Sequence, residues 1–140
     1  MPQVETLYDP PDAAIQAIRE GLHQYNLAAT GRADGKRLAL VLRDDNGEII
    51  GGLLAELYWD WLHVSVLWLR EDHRRQGHGR RLLQLAEQEA LKHGITRAHL
   101  ETGSFQALPF YQKHGYEVFA ELPDKPKGHT WYYLKKEHLG

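Results

Sequence analysis

Two glycines one residue apart, Gly77 and Gly79, are the residues of this chain best suited to bind a ligand. They close the stretch at residues 74–79 (Arg-Arg-Gln-Gly-His-Gly), which lies between an apolar run and a helical pattern. Glycine permits backbone conformations and close approaches that a Cβ forbids. A helix that begins beside them directs its unpaired N–H groups and the positive end of its dipole toward the same place. The spacing therefore predicts a site for a phosphate-bearing ligand.

Two common phosphate-binding motifs do not fit this stretch. A Walker A loop requires Gly-Lys-Ser/Thr, whereas Arg80 and Arg81 follow Gly79 here. The dinucleotide fingerprint requires a third glycine where Leu82 stands, although Glu101 lies near the distance expected for its acidic residue. The antiparallel strands predicted upstream also differ from the parallel start of a dinucleotide-binding fold. The details exclude both motifs.

Apolar patterning predicts the elements that position the glycines. Helices are predicted over residues 12–29 and 80–93, and a short helix over 107–113. Strands are predicted over residues 38–42, 48–58, 63–69, 98–100, 116–120 and 131–134. Asp45-Asn46-Gly47 indicates a tight turn between the first two strands. The order of helix, three strands, helix, strand, short helix and two strands predicts an α/β protein with a mixed sheet and helices on both faces.

The composition is that of an ordinary globular protein. The chain has 140 residues, which suits one domain over 1–140, with 42% hydrophobic and 26% charged residues. Its net charge of −2 gives no bulk attraction to nucleic acid or to an anionic membrane. The absence of cysteine excludes disulfides, a cysteine nucleophile and thiolate zinc sites. Residues 1–11 lack a secretion-signal pattern, and no apolar run approaches ~20 residues. We therefore expect a soluble, cytoplasmic protein.

Two motifs carry a resemblance to a known family. The pattern Arg/Gln-x-x-Gly-x-Gly is similar to motif A of the Gcn5-related N-acetyltransferase (GNAT) family, and residues 67–73 look like that family's fourth strand and approach loop. Residues 110–116 (Phe-Tyr-Gln-Lys-His-Gly-Tyr) resemble its downstream motif, aromatic-Tyr-x-Lys-x-Gly-aromatic. The matched region runs from about residue 48 to 120. The resemblance implies a GNAT-like fold of about six to seven strands, with a splayed central pair flanked by helices.

The resemblance also implies that the chain is an acetyl-CoA-dependent N-acetyltransferase. The coenzyme's pyrophosphate would be held by backbone N–H groups of Arg75, Gln76, Gly77, His78, Gly79 and Arg80, with added charge from Arg74 and Arg81. The pantetheine arm would pair with main-chain groups of Leu67 and Leu69. Ser104 stands where the family often places an asparagine that contacts this arm.

The expected chemistry is direct attack of an amine on the thioester in a ternary complex, since no cysteine can carry the acetyl group. Tyr111 matches the family tyrosine that acts as general acid near the coenzyme sulfur. An ordinary tyrosine is a weaker acid than a thiol by roughly 2 kcal/mol, so hydrogen bonding to the sulfur is an alternative role. His63 aligns with the glutamate base of the histone-acetylating branch, and an imidazole suits that role. Glu56, Glu101 and a water relay are the rival bases.

The acceptor is expected to be a primary amine of a small molecule or of a peptide or protein. The resemblance implies an acceptor site built by residues 13–35, the hairpin at 58–61 and the loop at 121–130. Aromatic and acidic residues in these segments suit a cationic amine, and the exposed aromatics of 58–61 could equally form a homodimer surface. His73 and His78 are a poor metal pair, so no metal is predicted, and neither nucleic acid nor membrane is predicted as a partner. The alternative function is a non-catalytic acyl-CoA-binding regulatory module, against which Tyr111 favours the enzyme.

Overall fold

The computed structural model describes residues 1–140 and confirms the predicted order of elements. The helices are α1 (Asp12–Thr30), α2 (His78–Lys92) and α3 (Leu108–Lys113). The strands are β1 (Gly35–Arg43), β2 (Ile49–Tyr58), β3 (Trp61–Leu69), β4 (Ala98–Gly103), β5 (Glu117–Pro123) and β6 (Thr130–Lys136). The residues divide into two compact units, Met1–Ala33 and Asp34–Gly140.

The first unit consists mainly of α1, which was predicted over residues 12–29. The helix ends at Gly31, whose φ of 70° is left-handed and whose N–H donates to the Leu27 carbonyl at 2.8 Å. Glycine adopts this conformation without the cost that a Cβ imposes, so it stops the helix here. No residue of α1 is buried. Its apolar stripe is therefore exposed at Ile18, Leu22 and Tyr25.

The second unit is built on a six-stranded sheet with the order β1-β2-β3-β4-β6-β5. All neighbouring strands are antiparallel except β3 and β4, which run parallel. The chain between β3 and β4 forms α2, as expected for a crossover between parallel strands. The hairpin between β2 and β3 turns at Trp59 and Asp60, between the two predicted strands. Both turn residues have positive φ.

One face of the sheet forms the core together with α2. Leu53, Ala55 and Leu57 alternate along β2 and are buried. They join a cluster with the apolar side of α2, which consists of Leu82, Leu83, Ala86 and Ala90. The predicted apolar stripe of α2 is thus confirmed, and it anchors the start of this helix at the central strands.

The two parallel strands part after a short stretch of pairing, which confirms the splayed central pair. β3 and β4 pair only from Leu62 with Ala98 to Val64 with Leu100, although both strands continue beyond. The next residue, Ser65, is skipped in the register between β2 and β3, and its hydroxyl donates to the Leu54 carbonyl at 3.1 Å. Such a bulge bends a strand. The bend opens a gap between the second halves of β3 and β4.

The start of α2 corrects a predicted boundary. The helix begins at His78 rather than at residue 80, so that Gly79 lies in its first turn. Gly77 precedes it with φ 83°, the left-handed conformation that glycine accepts. Glycine is a poor helix former, which is why the sequence pattern placed the start too late.

No helix of the chain is long and apolar enough to cross a bilayer.

Candidate active site

A cavity of about 710 Å³ fills the gap between the parted strands. Its lining includes β3 from Val64 to Leu69, and on the opposite side Glu101 and Thr102 of β4. The helix α3 contributes Phe110 and Tyr111. The cavity is therefore a slot with apolar walls, open along the edge of β3, and a carboxylate and a phenol are its principal reactive groups.

A second cavity of about 800 Å³ lies at the start of α2. Leu69, Gly79 and Phe110 line both cavities, so the two are parts of one continuous cleft. The second part is lined by cationic and imidazole side chains, namely Arg75, Arg80, Lys113, His78 and His114, and by no carboxylate. Burial and the neighbouring Arg80 and Lys113 lower the pKa of His114. The cleft thus changes from apolar to positively charged along its length.

The glycine stretch presents unpaired hydrogen-bond donors to the charged part of the cleft. None of the backbone N–H groups of residues 75–80 donates to another group of the chain. The first N–H that bonds back into this turn is that of Arg81, which donates to the Gly77 carbonyl at 3.1 Å. Unpaired N–H groups at a helix N-terminus, with the helix dipole behind them, bind phosphate. This geometry is suited to binding an anion.

The edge of β3 that faces the slot carries main-chain groups available for pairing. The Arg70 N–H donates to the Ile50 carbonyl of β2 at 2.8 Å. Since main-chain groups alternate in direction along a strand, those of Leu67 and Leu69 point away from β2 and toward the gap. One of them is partly occupied, because Arg74 Nε donates to the Leu69 carbonyl at 3.0 Å.

Tyr111 is a buried residue of the slot lining. Only 7% of the residue is exposed, and burial raises the pKa of its phenol to about 12. Its ring contacts Phe110 and Tyr116 edge-on, with centroids 5.2 and 6.0 Å away. The hydroxyl makes no hydrogen bond within the chain. The Tyr111 hydroxyl is therefore available to donate a hydrogen bond to a group in the slot.

A histidine and a carboxylate meet where β3 and β4 begin to part. His63 Nε2 and Glu101 Oε2 are hydrogen-bonded at 2.8 Å, and their side chains are 30% and 26% exposed. The His63 ring stacks on that of His99, with centroids 4.5 Å apart and planes 7° apart. Burial, and then the neighbouring His63, lower the pKa of His99. Glu101 lines the slot, whereas His63 contacts it only through Glu101.

Comparison with known proteins agrees with this geometry. The model of the Acetyltransferase (GNAT) family matches residues 3–116. This chain belongs to the GNAT acetyltransferase family. The predicted family, fold and enzyme class are thus confirmed, and the chain is a GNAT acetyltransferase.

Three proteins illustrate the similarity. Blasticidin-S acetyltransferase of Streptomyces morookaense is 34% identical, over 98% of this chain and 97% of its own. The crystal structure of an acetyltransferase from Agrobacterium tumefaciens is 33% identical with a TM-score of 0.89, over 97% of this chain and 98% of its own. A streptothricin acetyltransferase from Bacillus anthracis, crystallised with acetyl coenzyme A, has a TM-score of 0.65 at 19% identity, over 75% of this chain and 64% of its own. The last shares the fold alone.

The structure brings most of the predicted site residues of this GNAT chain to one cleft. Leu67, Leu69, Arg74, Gly79 and Tyr111 line the slot, and Arg75, Gly77, His78 and Arg80 line the charged part. Gln76 and Ser104 line neither part. The Ser104 hydroxyl accepts the Thr130 N–H at 3.1 Å, so it holds β6 beside β4 instead of facing the slot.

Among the cleft residues that were not singled out from the sequence, three lie close together in the chain. Phe110 lines both parts, and Lys113 and His114 supply the far wall of the charged part. All three belong to the motif at residues 110–116, so the signal was present. The motif was interpreted through Tyr111 alone, whereas the turn that ends α3 also directs its basic residues toward the glycine stretch.

Proposed function

We propose that this chain is an acetyl-CoA-dependent N-acetyltransferase that acetylates a primary amine by direct attack in a ternary complex. The single observation that carries the proposal is the set of unpaired N–H groups of residues 75–80 at the charged end of an otherwise apolar slot. A diphosphate fits the charged end, and a pantetheine arm fits the slot beside Leu67 and Leu69. Family membership and the acetyl-CoA complex of a protein with the same fold support the donor.

In the proposed reaction the amine nitrogen attacks the thioester carbonyl carbon, and the carbon–sulfur bond breaks. Glu101 faces the slot, and we propose that it and His63 act as one base that accepts the proton of the amine. The departing sulfur receives a hydrogen bond from the Tyr111 hydroxyl. Full proton transfer from a phenol with a pKa of about 12 to a thiolate of ordinary pKa is uphill by roughly 5 kcal/mol. The structure therefore favours the hydrogen-bonding role for Tyr111.

The proposed acceptor is a cationic small molecule, with a peptide or protein amine as the second candidate. Support comes from the full-length similarity to blasticidin-S acetyltransferase. Near His63 and Glu101, the Trp61 ring is covered by the Arg97 guanidinium at 4.5 Å and contacts the His99 ring edge-on. Trp131 lines the slot and is covered by Lys125 at 5.2 Å. The uncovered face of such a ring can hold a cationic amine.

We further propose that the chain functions as one domain and acts in the cytoplasm. We also propose that it forms a homodimer. The sequence suggested the 58–61 hairpin as the dimer surface, but Tyr58 there stacks on Trp59 within the chain. The face of the sheet opposite α2 is a better candidate, because it exposes Val41, Leu54, Val66 and Trp68 by 45–49% each. Val66 and Trp68 also line the slot, so this surface borders it. A contiguous apolar patch on a soluble protein marks an interaction surface.

A thiol-release assay with a panel of amines, combined with calorimetric titration of acetyl-CoA, tests the proposed function. We expect saturable binding of the coenzyme and amine-dependent release of the thiol. Tight binding without thiol release for any amine would favour the alternative function, a non-catalytic acyl-CoA-binding module. No binding at all would contradict both functions.

A further inference from the structure

Two imidazoles and a carboxylate meet on one face of the sheet, beside the cleft. His63 of β3 and His99 of β4 are register partners in the parallel pair, and Glu101 lies two residues after His99. Side chains two apart on a strand share a face. The ligand atoms of the three residues all lie within 4.8 Å of one another. The residues come from strands that are distant in sequence, so no spacing in the sequence indicates the cluster.

We infer that His63, His99 and Glu101 form a binding site for a divalent transition metal ion, with Zn²⁺ as the best-suited ion. Two histidines and a glutamate are a donor set that holds zinc and leaves a fourth position open. All three residues are half-buried, so an ion can enter while the surrounding sheet limits its access to water. The sequence prediction of no metal considered only His73 and His78, whose ring centroids are 6.5 Å apart.

The adjustment that an ion requires is small. The lone pair of an imidazole nitrogen lies in the plane of its ring, and the two rings are nearly parallel, so one of them must turn. His99 is held by ring contacts with His63 and Trp61 and makes no hydrogen bond. Rotation of its terminal torsion is therefore inexpensive. The His63–Glu101 pair must lengthen from 2.8 Å to roughly 3.3 Å, the separation of two ligands around a tetrahedral zinc ion.

The neighbouring cations do not exclude a metal ion. The Arg97 guanidinium lies over the Trp61 ring, 4.5 Å from its centroid. Lys135 of β6 is the register partner of His99 and carries a positive charge. Its ammonium is bonded to the Glu137 carboxylate at 2.8 Å, which compensates that charge. The carboxylate of Glu101 supplies a negative charge at the site itself. The local charge therefore permits a divalent cation.

An ion at this site would inhibit acetyl transfer. Because His63 and Glu101 are also the proposed base, a bound metal takes the lone pairs that would accept the amine proton. The inhibition therefore rests on the proposed function, whereas metal binding does not. Zinc would act as a reversible inhibitor that competes with the amine proton for the lone pairs of His63 and Glu101. It would leave the coenzyme site free.

Calorimetric titration of the chelator-treated, full-length protein with ZnCl₂ tests the site. We expect the wild type to bind one Zn²⁺ per chain. The affinity for Zn²⁺ should fall about 10-fold or more in His99→Gln and in Glu101→Gln, because losing a ligand should cost at least as much as losing a residue that only hydrogen-bonds a ligand. His93→Gln is the matched control, since His93 is an exposed histidine beside an acidic residue at the end of α2. Thermal unfolding monitored by circular dichroism verifies that each variant folds.

Activity with and without zinc separates the two claims. Inhibition of the wild type, relieved by chelator and absent in His99→Gln, supports the site and its position at the base. Zinc binding that depends on His99 but leaves activity unchanged supports the site and contradicts the base in the proposed function. Binding that is equal in the wild type, His99→Gln and Glu101→Gln overturns the metal site.

Discussion

At the residue scale, the placement of Glu101 separates it from the other carboxylate on the same face of the sheet. Glu56 is the register partner of His63 on β2 but is exposed and makes no contact with the slot. Glu101 both lines the slot and bonds His63. The sequence offered both carboxylates as rivals of His63, because it could not tell which strand faces the coenzyme. The pairing of β3 with β4 places Glu101 beside His63 and supports the proposed His63–Glu101 unit.

Glu101→Gln should lower kcat by about 10²- to 10⁴-fold, the usual contribution of general base catalysis. An amide keeps the shape and a hydrogen bond to His63 but cannot accept the proton. The KM for acetyl-CoA should remain close to that of the wild type. Glu56→Gln, the matched control on the adjacent strand, should keep full activity. Equal rates for Glu101→Gln and the wild type in steady-state assays would remove this pair from the chemistry.

Tyr111→Phe should lower kcat by roughly 10- to 100-fold, the worth of one hydrogen bond to a charged sulfur. Coenzyme binding should be unchanged, because the phenyl ring keeps the packing against Phe110 and Tyr116. Since burial raises the pKa of the phenol to about 12, the group does not titrate between about pH 6 and about pH 9. The pH–rate profile should therefore keep its shape in the variant. A lost alkaline limb would instead show that Tyr111 titrates during turnover.

At the element scale, the junction between β3 and α2 forms the proposed anion site. Gly77 takes a left-handed conformation and Gly79 packs in the first helical turn, near Phe110 and Leu69. The sequence predicted this junction because glycine spacing is a local signal. It could not predict that Arg74 folds back onto the Leu69 carbonyl or that Ser104 bonds Thr130. Such contacts depend on which elements meet in space, and so does the His63–Glu101–His99 cluster.

Substitutions at Gly79 should distinguish packing from coenzyme binding. A Cβ built there lies 3.5 Å from Phe110 and 3.7 Å from Leu69, which is ordinary contact distance. Gly79→Ala should therefore fold and bind acetyl-CoA with a modest loss. Gly79→Glu should abolish binding, because its carboxylate occupies the cleft and repels the diphosphate. Calorimetric titration measures both affinities, and retained affinity in Gly79→Glu would contradict the site.

At the scale of the whole molecule, charge is distributed unevenly along the cleft although the net charge is only −2. Basic residues gather at the glycine stretch and at the end of α3, and apolar residues line the slot. Overall composition predicted neither part. The opposite face of the sheet presents the apolar patch that includes Leu54, which is 49% exposed. Since Val66 and Trp68 belong to this patch and also line the slot, the proposed association surface borders the proposed coenzyme site.

Leu54→Asp should convert the dimer to a monomer, because a buried carboxylate without a partner is costly at an apolar interface. Light scattering coupled to size-exclusion chromatography measures the mass. Leu91→Asp is the matched control, since Leu91 is 37% exposed on α2, far along the chain from the patch. A dimer that persists in Leu54→Asp, or a wild type that is monomeric at micromolar concentration, would contradict the proposed interface.

The central claim is that the backbone N–H groups of residues 75–80 bind the diphosphate of acetyl-CoA. Amide chemical shifts of the ¹⁵N-labelled protein, recorded during titration with acetyl-CoA, test it most directly. The account predicts that the largest shifts occur at residues 75–80, with smaller ones along β3 at Leu67 and Leu69. Binding of acetyl-CoA that leaves the amides of 75–80 unmoved would contradict it.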